Sequence, residues 1–204
     1  MSMYQQQETP SFQQMIDGSM AVLTRPAVAT FEQHERNNLQ WATIYVAVAA
    51  VISGILAAIG TAIKQAGGPG LGGSIFGTLI GVLIGFFIWL GLVYLLGKAF
   101  GGTGNFGELA YDVSLFYAPL LVVFNLLNMI AIGPLGILTG IAGLAVWLYQ
   151  LYLTYLSIQS GMNLPANKAL FVILILFLIG LAIVACFALV IVGMLAALSQ
   201  ATSP

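Results

Sequence analysis

Few side chains in this sequence could do chemistry, and their spacing limits what it could be. Glu108 and Asp112 stand four residues apart, which puts two carboxylates on one face of a helix. Such a pair can meet a cation or a basic partner, or serve as a charged surface cluster, and Lys98 lies close enough in sequence to pair with it across a loop. Asn125, Asn128 and Gln150 are polar groups inside otherwise apolar stretches. They would bond neighbouring helices or water, or line the path of a small solute. His34 is the one histidine and Cys186 the one cysteine. There is no HExxH, no Cys/His metal set and no Ser/His pair inside the apolar stretches. A lone cysteine forms no intrachain disulfide, and Cys186, inside the last apolar run, is expected to pack as a small apolar residue. No catalytic, cofactor-binding or metal-ligating residue is assigned, and no enzyme is expected.

Gly102-Thr103-Gly104-Asn105-Phe106-Gly107 spells GxGxxG. A dinucleotide fingerprint needs a strand before it, a helix after it and an acid about 20 residues on. Here an apolar run precedes it and no acid follows Asp112. The glycines are expected to form a hinge or a close-packed loop.

The elements that must hold these groups are membrane helices. The chain has 204 residues, of which 60% are hydrophobic and 5% charged, with mean hydropathy +1.04. A soluble domain carries about 25% charged residues, so lipid is the solvent this composition suits. A net charge of -1 gives no reason to expect nucleic acid as a partner. Apolar runs predict an all-α bundle of five spans, near residues 41–63, 75–97, 113–131, 135–158 and 169–198. The last is long for a bilayer and is expected to tilt or kink. Gly133-Pro134 makes the third and fourth spans a hairpin. Pro119 is expected to kink the third.

Residues 1–38 form an N-terminal arm and residues 199–204 a short tail. The first ten residues are polar and Gln-rich, without the apolar core of a signal peptide. Ser11 can cap a helix that carries Phe12, Met15, Ile16, Met20 and Leu23 on one face, and a second short helix follows Pro26. Both are expected to lie on the membrane surface.

With five spans, Arg25, Arg36, Lys98 and Lys168 fall on one side and only Lys64 on the other. By the positive-inside rule the N-terminus is cytoplasmic and the C-terminus outside. Trp41, Tyr94, Tyr152 and Tyr155 near the cytoplasmic span ends fit an aromatic belt. The span cores carry no charge, although a dozen Leu, Ile and Val residues at about -4 to -7 kcal/mol would outweigh one central charge at about 2.5–3.5. That absence weighs against an ion-coupled transporter.

Gly73, Gly77, Gly81 and Gly85 recur every fourth residue, a glycine zipper on one helical face. Ala50, Gly54, Ala58 and Ala62 make a matching stripe in the first span. The two stripes pack on each other within the chain, or the glycine face docks a second copy or a partner helix. Gly136, Gly140 and Gly143 suggest close packing in the fourth span.

Residues 100–111, Phe-Gly-Gly-Thr-Gly-Asn-Phe-Gly-Glu-Leu-Ala-Tyr, lead into a span bearing Tyr117-Ala118-Pro119. Trp147-Leu148-Tyr149, Gly161 and Asn167-Lys168-Ala169-Leu170 follow in order. With Leu23-Thr24-Arg25-Pro26 and Phe31-Glu32, this series resembles the Yip family, the Ypt-interacting proteins, from about Arg25 to Leu198. The resemblance implies a five-span domain with a cytoplasmic N-terminus. Eukaryotic members bind Rab GTPases in traffic between endoplasmic reticulum and Golgi. Their longer N-terminal region with its Asp-Leu-Tyr-Gly-Pro motif has no counterpart here, so Rab binding is not carried over. The short arm is similar to that of prokaryotic members, whose place is the inner membrane.

The expected function is that of a non-enzymatic membrane adaptor or organiser, without cofactor or metal. Its partners would be lipid and other membrane proteins or itself. Contacts would run through Gly73, Gly77, Gly81 and Gly85, and through a cytoplasmic loop of Lys98, Gly101, Gly102, Gly104, Phe106, Glu108 and Asp112. The alternative is a small channel or permease with a polar path at Asn125, Asn128 and Gln150.

Overall fold

The computed structural model describes residues 11–201, with side chains beyond 182 described only in part. The first ten residues and residues 202–204 of the expected tail lie outside the described residues. Seven helices follow in order: α1 (Phe12–Thr24), α2 (Val28–His34), α3 (Leu39–Ile63), α4 (Gly70–Ala99), α5 (Phe106–Met129), α6 (Leu135–Gly161) and α7 (Ala166–Ala201). Among the described residues four helices, α3 to α6, are long and apolar enough to cross a membrane. The described apolar part of α7 is Ala166–Ala182, shorter than these.

Local chemistry sets the helix starts. Ser11 and Gln14 form a reciprocal capping box at α1, as the sequence leads one to expect for Ser11. Asn38 accepts from the Trp41 amide at 3.0 Å and starts α3. Asn105 and Glu108 form a second capping box, with the Glu108 amide donating to Asn105 Oδ1 at 2.9 Å and the Asn105 amide to Glu108 Oε2 at 3.3 Å. That box starts α5 at Phe106 rather than at the first unbroken apolar residue, Val113. The expected loop from Lys98 to Asp112 therefore shrinks to residues 100–105.

α5 is the hub. It packs against α1, α3, α4 and α6, while α7 packs against α4 and α6. The α5–α6 hairpin turns at Gly133-Pro134, as expected. One end of the bundle gathers the α4–α5 loop, the α6–α7 turn and the segment before α3. There Lys168 Nζ donates to the Phe100 carbonyl at 2.9 Å. At the opposite end Lys64 Nζ donates to the Asn128 carbonyl at 2.6 Å. Arg36, Lys98 and Lys168 thus share one end and Lys64 holds the other, which is how the sequence reading divides these four residues.

The glycine zipper does not pack against α3. A Cβ on Gly77, Gly81 or Gly85 would meet nothing within 4 Å, and one on Gly73 would meet only Pro69 of its own turn. The inward face of α4 is carried instead by Phe86, Leu90 and Val93, all fully buried. Phe86 lies 5.4 Å from Tyr117 of α5, ring to ring. Bulky side chains fill that seam with contacts that glycines cannot supply, so the glycines turn outward. The α3 stripe meets α4 through Gly54, whose Cβ would stand 2.7 Å from Ile75 Cα and 3.0 Å from the Ser74 carbonyl oxygen. Of Gly136, Gly140 and Gly143 in α6, Gly143 packs closely, against Phe124, while Gly136 and Gly140 are open. Cys186 is exposed rather than packed.

The arm docks on the bundle, a contact that the sequence did not announce. Met15, Val22 and Phe31 are fully buried. Ser19 Oγ and the Tyr45 hydroxyl are 2.9 Å apart, and the Tyr149 hydroxyl donates to the Leu23 carbonyl at 2.7 Å. The Phe31 ring meets Phe116 edge-on at 6.1 Å. Phe12, Ile16 and Met20 keep an outward apolar ridge, so the arm has one face for the bundle and one suited to the interface.

Candidate functional site

The charged end of the bundle contains a junction built from glycines. Gly101 takes φ +89°, a left-handed conformation that suits glycine. It turns the chain so that the Thr103 amide donates to the Met162 carbonyl at 3.0 Å. At Gly104 a Cβ would collide with the Gly161 carbonyl oxygen, and at Gly107 with Asn37 Oδ1. At Gly102 a Cβ would lie 2.9 Å from the Gly97 carbonyl oxygen and 3.0 Å from that of Met162. The GxGxxG string is thus a close-packed segment whose glycines face the protein's own atoms, backbone at Gly104 and the Asn37 side chain at Gly107. Gly161 completes the junction from α6, where a Cβ would stand 3.0 Å from Leu109 Cα and 3.2 Å from Asp112 Oδ2.

This closeness corrects the reading of Glu108 and Asp112 as a surface pair. Glu108 is half-buried and serves as the α5 cap. Asp112 is 0% exposed, and neither carboxylate oxygen has a hydrogen-bond partner among the described residues. The Ser160 hydroxyl beside it on α6 is also buried and unpartnered. Gly161 lets α6 approach until it covers Asp112, so the two acids share a helical face but not an environment. Lys98 pairs with neither. Its Nζ donates to the Thr103 carbonyl at 3.3 Å and stands 5.4 Å from the centre of the Tyr94 ring. Phe106 packs edge-on against the same ring at 5.4 Å.

The arm roofs this end. Glu32 and Glu35 bring further acidic charge toward Asp112 and Glu108. Arg36 lies against the Tyr111 hydroxyl, and His34 bonds the Thr30 carbonyl of its own helix at 2.8 Å. Partial burial raises the Glu35 carboxyl above its ordinary value, with the Glu108 and Glu32 charges adding to the effect. A carboxyl raised on docking favours the docked arm below the ordinary value and loses that advantage as pH rises through the raised one. Hydrogen exchange of α2 amides, corrected for intrinsic rates, is expected to speed up across that window. Glu35→Gln should remove the step, and an unchanged step in that variant would assign it elsewhere.

The intramembrane polar groups are not brought together. The Asn125 amide donates to the Leu121 carbonyl at 2.9 Å and the Asn128 amide to Phe124 at 2.8 Å, both on their own helix. Asn128 lines a crevice of about 350 Å³ between α5 and α6 whose lining includes neither Asn125 nor Gln150. Among the described residues no group of three or more His, Cys, Asp or Glu side chains is placed to hold a metal ion.

The burial of Asp112 and the partnership of Gly104 with Gly161 are what sequence reasoning missed. The capping-box pattern Asn105-x-x-Glu108 was a usable signal for the α5 start. It puts Asp112 two turns into a helix instead of in a loop.

A family model described as Yip1 domain matches residues 20–199. No curated protein and no solved structure matches the chain.

Proposed function

The chain belongs to the Yip1 domain family, and from that premise we propose that it is a non-enzymatic, multi-pass membrane adaptor or organiser that associates through the outward face of α4. In this reading α7 is the fifth span and the termini lie on opposite sides. The end bearing Arg36, Lys98 and Lys168 faces the cytoplasm of a prokaryotic cell. One observation carries the proposal. Gly77, Gly81 and Gly85 are open within the chain, beside an exposed ridge of Phe76, Ile80, Ile84 and Ile88. Groove and ridge share the same four-residue pitch, so a facing helix can approach closely and interlock. The solute-path alternative has less support, because Asn125 and Asn128 spend their amide donors on their own helix and the crevice that Asn128 lines does not include Gln150.

Crosslinking in the native membrane, followed by mass spectrometry, tests the proposal. A recurrent partner or a homodimer is expected with the unaltered chain and should be lost in Gly77→Leu/Gly81→Leu, with insertion unchanged. Assembly that survives both substitutions would refute the role of this face. Solute flux in reconstituted vesicles that is lost on Asn125→Leu would favour the permease instead.

A further inference from the structure

The buried Asp112 site is independent of the α4 face. Its two carboxylate oxygens and the Ser160 hydroxyl are enclosed and have no hydrogen-bond partner among the described residues. The charged groups around it are predominantly acidic: Glu32 and Glu35 from the arm, and Glu108 from its own helix. The Arg36 guanidinium of the arm is directed to Tyr111. An ionised carboxylate enclosed without donors is very costly, and cation or proton uptake is what relieves such a site. No metal-ligating cluster exists among the described residues, whereas a proton needs only the carboxyl and one acceptor. The Ser160 hydroxyl, buried beside the carboxyl on α6 and itself without a partner among the described residues, is the acceptor such a proton would meet. Asp112 also precedes the apolar run that begins at Val113, at the end of the bundle to which the arm brings Glu32 and Glu35.

We propose that Asp112 and Ser160 form a proton-binding site under the arm, and that release of the proton undocks the arm. Loss of the proton leaves a carboxylate facing Glu35, Glu32 and Glu108. Separation of the roof from the junction then admits water and relieves both desolvation and repulsion. The site thus couples the pH on the charged side to exposure of the arm.

Infrared spectroscopy of the full chain in lipid nanodiscs tests this, using the Glu35→Gln background to remove the Glu35 step. A protonated-carboxyl carbonyl band is expected at neutral pH. It should be absent in Asp112→Asn, which keeps the shape of the side chain, and shifted but retained in Ser160→Ala. As pH is raised until the band disappears, exchange protection of α2 should fall in step, and in Asp112→Asn it should stay constant. No band in the unaltered site, or a band that persists in Asp112→Asn, would overturn the proton site. Protection that ignores the loss of the band would overturn the coupling, and an unshifted band in Ser160→Ala would remove Ser160 from it.

Discussion

Gly104→Ala is expected to open the charged end of the bundle and to cost about 3 kcal/mol or more, at the upper end of overpacking effects. The added methyl would occupy the position of the Gly161 carbonyl oxygen, which is backbone and cannot rotate away. Relief requires the α4–α5 loop and the α6–α7 turn to separate, breaking the Thr103-to-Met162 hydrogen bond. Asp112 would then meet water. Denaturant unfolding in micelles measures the loss as a shift in midpoint. Gly140→Ala is the matched comparison, because its methyl would enter open space. It should be neutral or stabilising by up to about 1 kcal/mol, the helix preference for alanine. Equal effects at the two positions would mean that the junction is not the close contact described.

Phe31→Ala is the second large effect. Phe31 is fully buried and meets Phe116 edge-on. Truncating such a ring costs about 3–5 kcal/mol. That loss falls on a short helix whose other anchors are few, so the arm rather than the spans should give way. Hydrogen exchange of α1 and α2 is expected to rise sharply, and proteolysis should begin between the arm and α3, while α3 to α6 keep their protection. Met20→Ala, on the exposed outer ridge, should change arm protection by no more than about 0.5 kcal/mol. An arm that stays protected in Phe31→Ala would mean that it is held elsewhere.

Four of the five expected spans were legible as long apolar helices, because a run of apolar residues has one signal, length, and lipid makes that signal strong. Capping at Ser11 and the hairpin at Gly133-Pro134 were equally local and equally readable. What escaped depends on contacts between residues far apart in sequence. Nothing near Asp112 announces burial, since the cause is Gly161 on another helix. Gly104 and Gly107 look like flexible loop residues until Gly161 and Asn37 fill the space beside them. The glycine zipper was visible as a periodicity, but periodicity does not say which way a face points. Its direction follows from Phe86, Leu90 and Val93 filling the inner seam more completely.

Site-directed photocrosslinking in the native membrane probes the outward glycine face of α4. A photoreactive side chain at Ile80, on the exposed ridge beside Gly77 and Gly81, should capture one recurrent protein species. The same group at Leu148, exposed on α6, should capture lipid. Capture of lipid alone at Ile80, or of the same species at both positions, would contradict the account.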